Sequence, residues 1–333
     1  MLVEIAVGVV RLQALTYRAL GALRGGLNGA ASGLLAEALT ADELGDVTAR
    51  FYDTRLPGRR RAGQVVDPGP GRYSPAFRLF AGESEWFEAY LPAPPARILV
   101  GGAGRGREVA ALLEMGYDVD AFDPVHSFCA DCQMLAGVGI VVCADYGSFA
   151  RALLDGDKTS ASPLTASAPY AAVILGWTSF DFVFSSFDRE RLLRAVHAIA
   201  PRGPILASFH VREQPPGGRA VAFGHAAGQR VGRAVRHLRG LSDPPPDAEL
   251  HCHLGVIQWS TRQEIQAVGA IVGREVVWES RDHGLCATQP AVPAAAPSES
   301  PSAVGSWTTE MDRSTHCVVF LAPADPGGLS CGA

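Results

Sequence analysis

Short aliphatic runs alternate with helical segments along most of this chain, and this alternation limits the possible folds more than any other feature. Seven runs have the length and composition of strands: Arg97–Val100, Asp118–Phe122, Ile140–Cys143, Ala172–Leu175, Ile205–Phe209, Glu275–Trp278 and Cys317–Leu321. Helical segments fill the gaps between the first five, the clearest being Arg189–Ile199. Strands separated by helices form right-handed crossovers, so the pattern predicts a mostly parallel sheet. The last two strands lack a helix between them and should pair antiparallel at one edge.

The composition agrees with a globular protein that binds neither nucleic acid nor membranes. Of the 333 residues, 47% are hydrophobic and 19% are charged, and the formal net charge is -5. A chain that binds nucleic acid over a broad surface would be basic. No run reaches the ~18 uncharged apolar residues of a spanning helix, and the apolar stretch 1–10 carries Glu4 where a signal peptide needs positive charge. We therefore expect a cytoplasmic protein.

A glycine-rich loop follows the first strand and opens the next helix. Its glycines have the spacing GxGxG, at Gly102, Gly104 and Gly106. Glycine lets the backbone turn tightly and approach a ligand closely. A dinucleotide fingerprint, GxGxxG, would need its third glycine where this chain has Arg107. The observed spacing instead resembles motif I of the class I S-adenosylmethionine-dependent methyltransferases.

This resemblance covers roughly Arg97 to Leu321. It implies a three-layer Rossmann-like α/β sandwich whose seven-stranded, mostly parallel sheet has an antiparallel last strand, and it implies S-adenosylmethionine as the cofactor. In that family an acid ending the second strand binds the ribose, here Asp123, and a residue after the third strand binds the adenine, here Asp145. The expected cofactor-binding residues are Gly102, Ala103, Gly104, Gly106, Asp123, Pro124, Asp145, Tyr146, Gly176 and Trp177.

One position departs from the family pattern. Members often carry an acid two residues before the first motif glycine, and this chain has Val100 there. The ammonium of the methionine moiety would then bind elsewhere, and the backbone carbonyls of Gly102 or Trp177 are the candidates.

Methyl transfer from a sulfonium is an in-line displacement, so the protein must orient the acceptor and needs no covalent nucleophile. His210, just after the fifth strand, is the candidate catalytic or substrate-orienting residue; alternatively it is a capping or core histidine. No metal is expected. Cys129 and Cys132 form a lone CxxC, and the pair His251 and His253 lacks a third ligand.

Residues 1–90 should form a helical N-terminal cap or lid, and residues 91–333 the cofactor-binding domain. Thr40 and Glu43 have the spacing of a capping box that opens the helix Ala41–Tyr52. Residues 212–250 should be an insertion containing a basic helix, whose arginines either face solvent or meet an acidic substrate. Residues 288–306 are rich in Pro, Ala and Ser and should be a disordered connector.

Together these features predict a methyltransferase acting on a small molecule, such as a metabolite or natural-product intermediate. Two alternatives stay open. A catalytically silent protein of the same fold could bind the cofactor or a partner without turnover. A nicotinamide-dependent oxidoreductase would use the same kind of sheet, although the third fingerprint glycine is missing.

Overall fold

The computed structural model describes residues 23–55, 79, 81–211, 219–242, 248–251, 255–279 and 315–322. The expected disordered connector 288–306 lies outside these residues. Contacts divide the chain into two compact units. The first comprises Met1–Phe51 and Arg212–Trp259, and the second, the sheet unit, comprises Tyr52–Val211 and Ser260–Ala333.

The sheet unit contains the predicted seven-stranded sheet. Its strands are β1 Arg97–Gly101, β2 Asp118–Asp123, β3 Val141–Cys143, β4 Ala172–Leu175, β5 Ile205–His210, β8 Glu275–Glu279 and β9 Thr315–Leu321, while β6 Ala248–His251 and β7 Gly255–Gln258 form a separate hairpin in the first unit. The order across the sheet is β3-β2-β1-β4-β5-β9-β8. Only β9 runs antiparallel, and it pairs with β5 on one side and β8 on the other. The fold prediction is confirmed: this is a Rossmann-like α/β fold with a mostly parallel seven-stranded sheet and an antiparallel last strand.

Helices cover both faces of the sheet. In the described part of the chain, the helices are α1 23–38, α2 Ala41–Arg55, α3 Ala81–Tyr90, α4 Arg107–Glu114, α5 His126–Gln133, α6 Tyr146–Leu154, α7 Ser162–Ala166, α8 Ser186–Ile199, α9 Arg219–Leu238 and α10 Arg262–Ile271, and a 3₁₀ turn spans Ser179–Phe182. Alternate residues of β1 point to opposite faces: Leu99 belongs to one buried cluster, and Ile98 and Val100 belong to the other. A strand buried on both faces is aliphatic throughout, so the continuous apolar runs in the sequence predicted these strands well.

Arg274 anchors the antiparallel edge of the sheet. Its guanidinium is buried and donates to the carbonyl oxygens of Ala200 at 2.5 Å, Gly203 at 2.6 Å and Phe320 at 3.1 Å. Burial lowers the pKa of Arg274 to about 10. Because Ala200 follows the carboxyl end of α8, the cation also meets the negative end of a helix dipole. Arg274 therefore ties α8 to β9 through backbone groups.

In the first unit, α1 and α9 approach each other at backbone distance. A Cβ atom added to Gly33 would lie only 2.3 Å from the carbonyl oxygen of His225. From the other helix, a Cβ on Gly228 would lie 2.0 Å from the carbonyl oxygen of Ala30. Glycines recur every fourth residue on each contacting face: Gly25, Gly29 and Gly33 on α1, and Gly224, Gly228 and Gly232 on α9. Small residues of this kind allow two helix backbones to pack closely.

The basic helix expected in the insertion is α9, and two arginines at its carboxyl end, Arg236 within it and Arg239 directly after it, have a structural role. Arg236 and Arg239 donate to the carbonyl oxygens of Glu37 and Ala38, at 3.1 and 2.7 Å, where α1 ends. These carbonyls have no partner within their own helix, so the arginines cap it. Arg239 also forms an ion pair with Glu43, the residue of the predicted capping box.

The capping box itself is confirmed. The backbone N–H of Thr40 donates to Glu43 Oε2 at 2.9 Å, and the Glu43 N–H donates to Thr40 Oγ1 at 3.3 Å. The helix that it opens ends at Arg55, three residues beyond the predicted end. In the described part of the chain, no helix is long and apolar enough to cross a membrane.

Candidate functional site

The glycine loop turns directly from β1 into α4. Gly102, Gly104 and Gly106 have φ values of +64°, +55° and +89°, a left-handed conformation that other residues adopt only with strain. Gly106 is the N-cap residue of α4. A Cβ added to Gly104 would meet nothing within 4 Å, so this glycine borders open space. The loop thus presents backbone and a helix N-terminus at the edge of the sheet where parallel-sheet proteins bind ligands.

Asp123 lies beside this loop, as predicted from the end of the second strand. Its Oδ2 accepts a hydrogen bond from the N–H of Gly104 at 2.8 Å, and its Oδ1 accepts from the N–H of Val125 at 2.9 Å. The side chain is 7% exposed. The N–H of Ala103 donates to the carbonyl oxygen of Phe122, which fixes the loop to the same strand. The exposed Pro124 follows at the turn into α5.

Asp145 and Tyr146 follow β3, but they have different surroundings. Asp145 is exposed and is the N-cap of α6, where its carboxylate accepts from the N–H of Ser148 at 2.6 Å. Tyr146 reaches back towards β1, and its hydroxyl lies 2.5 Å from Ser179 Oγ. A Cβ on Gly102 would lie 2.7 Å from that hydroxyl and 2.5 Å from Ser179 Cβ. Only glycine therefore fits beneath this hydroxyl pair.

Each of the first three residues of the loop after β4 donates a hydrogen bond from its backbone N–H. The N–H of Gly176 donates to the carbonyl oxygen of Gly101 at 2.7 Å, and the N–H of Trp177 donates to Glu108 Oε1 at 3.0 Å. The N–H of Thr178 donates to Ser208 Oγ at 2.7 Å. Thr178 has a φ of +54°, which is strained for a β-branched residue. Strain retained at a ligand edge is typical of a preorganised site.

His210 is buried and pairs with Asp181, a residue that the sequence analysis did not single out. Its Nδ1 lies 2.6 Å from Asp181 Oδ2, and its backbone N–H donates to the same oxygen at 3.1 Å. Asp181 is fully buried, and its Oδ1 has no hydrogen-bond partner among the described residues. Burial raises the pKa of Asp181, and the neighbouring His210 and Arg189 oppose that rise.

A second group that the sequence analysis missed lies below the glycine loop. Arg107, the first residue of α4, contacts two buried carboxylates, Glu83 of α3 and Glu108 of α4. Its NH2 lies 2.9 Å from Glu83 Oε1 and 2.7 Å from Glu108 Oε1. Glu108 falls on the buried face of α4 with Val109 and Leu112. A carboxylate at a core-facing position of an amphipathic helix was the available sequence signal.

Aromatic side chains of the sheet unit meet near the same edge. The ring of Tyr52 contacts Phe128 of α5 edge-on at 5.9 Å and Phe182, after β4, at 6.0 Å. Arg105 of the glycine loop lies 5.1 Å from the centre of the Phe128 ring and forms an ion pair with Asp131. Trp86 and Phe87, by contrast, are buried in the core against β1. Three other aromatic residues of the segment 1–90, Tyr73, Phe77 and Phe80, lie outside the described residues.

The sequence matches no protein-family model and no curated protein. Solved structures show distant likenesses. A 1,6-didemethyltoxoflavin-N1-methyltransferase from Burkholderia thailandensis is 14% identical over 85% of this chain and 90% of its own, with a TM-score of 0.45. A TehB-like S-adenosylmethionine-dependent methyltransferase from Corynebacterium glutamicum is 16% identical over 82% and 97%, with a TM-score of 0.41. For the magnesium protoporphyrin IX methyltransferase of Synechocystis the values are 11%, 71%, 74% and 0.38. Likenesses this distant do not transfer function, and the fold stands on the strand order and register.

Proposed function

We propose that this protein transfers a methyl group from S-adenosylmethionine to a small-molecule acceptor. The observation that carries the proposal is Asp123, which ends β2 and is hydrogen-bonded to the glycine loop. The sheet order supports the same choice. Dinucleotide-binding sheets have the order 3-2-1-4-5-6, whereas here the antiparallel β9 lies between β5 and β8. This argues against the nicotinamide-dependent alternative.

The residues present fit the proposed cofactor. The open space at Gly104 leaves room for a ligand against the loop backbone, next to a carboxylate suited to ribose hydroxyls. Tyr146 and Ser179 add hydroxyl groups above Gly102. Asp145 remains the proposed partner of the adenine amino group, since capping α6 engages its carboxylate without burying it. When bound, the cofactor supplies an electrophilic methyl group on a sulfonium.

The protein's own contribution is orientation and exclusion of water. The loop after β4 is hydrogen-bonded to β1, α4 and β5, so it can hold an acceptor in a fixed position. Tyr52 contacts aromatic rings that follow β2 and β4 on either side of the glycine loop, which suits it to shield that edge from water. The acceptor is expected to be a metabolite or natural-product intermediate.

His210 is the proposed catalytic residue, and Asp181 is its positioning residue. The contact between Asp181 and Nδ1 places a proton on Nδ1 and fixes the orientation of the ring, so that in the neutral imidazole Nε2 is the nitrogen with a lone pair. Such a nitrogen can take a proton from a hydroxyl or amine acceptor as the methyl group arrives, or orient that group by a hydrogen bond.

Calorimetric titration with S-adenosylhomocysteine, S-adenosylmethionine and NAD tests the cofactor. The first two should bind and NAD should not, and Asp123→Asn should weaken S-adenosylhomocysteine by about 1.5–3 kcal/mol, the range for hydrogen bonds to a charged group. Thermal unfolding gives a second reading, because a ligand that binds only the folded state raises the midpoint. Binding of NAD alone would refute the proposal.

Transfer of labelled methyl groups to a metabolite extract, followed by mass spectrometry, separates an enzyme from a silent binding protein. If His210 acts in the reaction, His210→Gln should lower transfer while leaving S-adenosylhomocysteine affinity unchanged. Asp181→Asn should lower transfer less, because it weakens the contact that orients the imidazole of His210 without removing the ring. Tight cofactor binding without transfer to any extract would favour the silent alternative.

A further inference from the structure

Glu108 is a buried carboxylate with one oxygen left over. It is 5% exposed, and both of its hydrogen bonds, from Trp177 N–H at 3.0 Å and from Arg107 NH2 at 2.7 Å, end on Oε1. We find no partner for Oε2 among the described residues. Some unpartnered oxygens of the described residues, such as Asp181 Oδ1, have no solvent-accessible surface. Glu108 Oε2 is not one of them, so it borders accessible space. Burying a charged oxygen without a partner is unfavourable, and this oxygen is therefore suited to a cationic ligand.

The position of Glu108 points to the ligand edge of the sheet. The residue lies in the first turn of α4, directly after the glycine loop, and its bond to Trp177 places the carboxylate where β4 ends. Tyr146, whose hydroxyl lies above Gly102, is close enough to Glu108 for the charge of that carboxylate to affect its pKa. Burial raises the pKa of Tyr146 first, and the charges of Asp123 and Glu108 raise it further. Glu108 of α4 and Asp123 at the end of β2 thus flank the same loop.

Two carboxylates below the glycine loop share a single arginine. Arg107 contacts Glu83 and Glu108 together, and Arg105, the other cation of the loop, is paired with Asp131. Val100 meanwhile leaves the end of β1 without a carboxylate. A ligand carrying a primary ammonium would supply both a positive charge and N–H donors to Oε2.

We propose that Glu108 binds the α-ammonium group of the cofactor's methionine moiety through Oε2. This inference rests on the proposed function, because it assigns one contact within the same cofactor site. It replaces the backbone carbonyls expected from the sequence with a charged side chain from α4. Glu108 is a binding residue in this role, and the rest of its carboxylate keeps Trp177 in place.

Two ligands that differ in the amino-acid moiety test this assignment. S-adenosylhomocysteine carries the ammonium, whereas 5′-methylthioadenosine keeps the adenosine and the sulfur but lacks it. Glu108→Gln removes the charge and keeps an oxygen that can accept from Trp177 N–H. It should weaken S-adenosylhomocysteine about 10- to 100-fold, the range of a charge-assisted hydrogen bond, and leave methylthioadenosine unchanged.

Glu83→Gln is the matched control. It removes a buried carboxylate from the same arginine, but on α3 and without the contact to Trp177. It should change the affinity for the two ligands in equal proportion, if at all. Both variants are measured by calorimetry on the full chain, and circular dichroism checks that they fold.

Each outcome bears on the assignment. Selective loss of S-adenosylhomocysteine in Glu108→Gln supports it. Equal loss of both ligands would show that Glu108 acts only through the loop structure, and unchanged affinity would show that it does not contact the ammonium; either result overturns the inference and leaves the proposed function standing. If the wild-type protein bound neither ligand, the proposed function itself would fail.

Discussion

Replacing Gly176 by alanine tests how tightly the two central loops of the site are held together. Gly176 follows β4, and its N–H donates to the carbonyl oxygen of Gly101. An added Cβ would lie 2.4 Å from the carbonyl oxygen of Gly102, whereas Cβ atoms essentially never approach other atoms closer than 3.0 Å. The obstacle is backbone, so no side chain can rotate away. The loops after β1 and β4 must separate by at least 0.6 Å.

The expected loss of stability follows from this overlap. Overpacking a well-packed interior costs about 1–3 kcal/mol, and a rigid obstacle favours the upper part of that range. For a folding unit of this size, each kcal/mol lowers the thermal midpoint by roughly 2–4 °C, so Gly176→Ala should lower it by roughly 5–10 °C. Because both loops form the proposed cofactor site, S-adenosylhomocysteine affinity should also fall.

Gly104→Ala is the control for backbone strain in the thermal measurement. Gly104, unlike Gly176, has a positive φ, and its added Cβ would meet nothing within 4 Å, so this variant shows the effect of strain without overlap. It should lose about 1–2 kcal/mol from the left-handed conformation alone, with no separation of the loops. Thermal unfolding by circular dichroism compares the two variants. A Gly176→Ala protein with wild-type midpoint and affinity would refute the claim that this close approach is structurally required.

Three further predictions concern other parts of the molecule. Arg274→Met should destabilise the sheet unit by about 3–5 kcal/mol in denaturant unfolding, since several buried carbonyls lose their donor, and Arg274→Lys should recover part of this; a loss below about 1 kcal/mol would contradict it. The ion pair with Arg239 lowers the pKa of Glu43 from its usual 4.5 to about 2, so its stabilisation is complete above pH 4.5 and is lost as the pH falls towards 2. In Glu43→Gln the free energy of unfolding should depend less on pH over that interval, and an unchanged pH dependence would argue against the ion pair. Tyr146→Phe should keep the fold but weaken S-adenosylhomocysteine, and unchanged affinity would place its hydroxyl outside the site.

The strands could be predicted to within one or two residues because burial on both faces leaves a continuous aliphatic signal. Ala172–Leu175 is the same in prediction and structure. The hairpin of β6 and β7 was not predicted, because its strands have only four residues each. Short strands carry too few residues to show a period.

The positions of the candidate site residues could be predicted only where the topology of the sheet determines them. The glycine loop and Asp123 come together because parallel strands end at one edge, which a linear sequence reveals. Asp181 and Glu108 depend on a partner far along the chain, and neither belongs to a recognisable spacing. The role of Arg236 could not be predicted for the same reason, because a basic helix face has the same sequence pattern whether it caps another helix or faces solvent.

The interlocked glycines of α1 and α9 have a consequence for synthesis on the ribosome. The two contacting helices are about 200 residues apart in the chain. The first segment of the sheet unit, Tyr52–Val211, is therefore synthesised after α1 and before α9. At 5–20 residues per second, α1 must wait roughly 10–40 s for its partner. During that interval α9 is not there to pack against the glycine face of α1, so this face would contact a nascent-chain chaperone or the ribosome surface instead. We expect arrest peptides placed before residue 219 to leave α1 open to protease and those placed well after residue 259 to protect it.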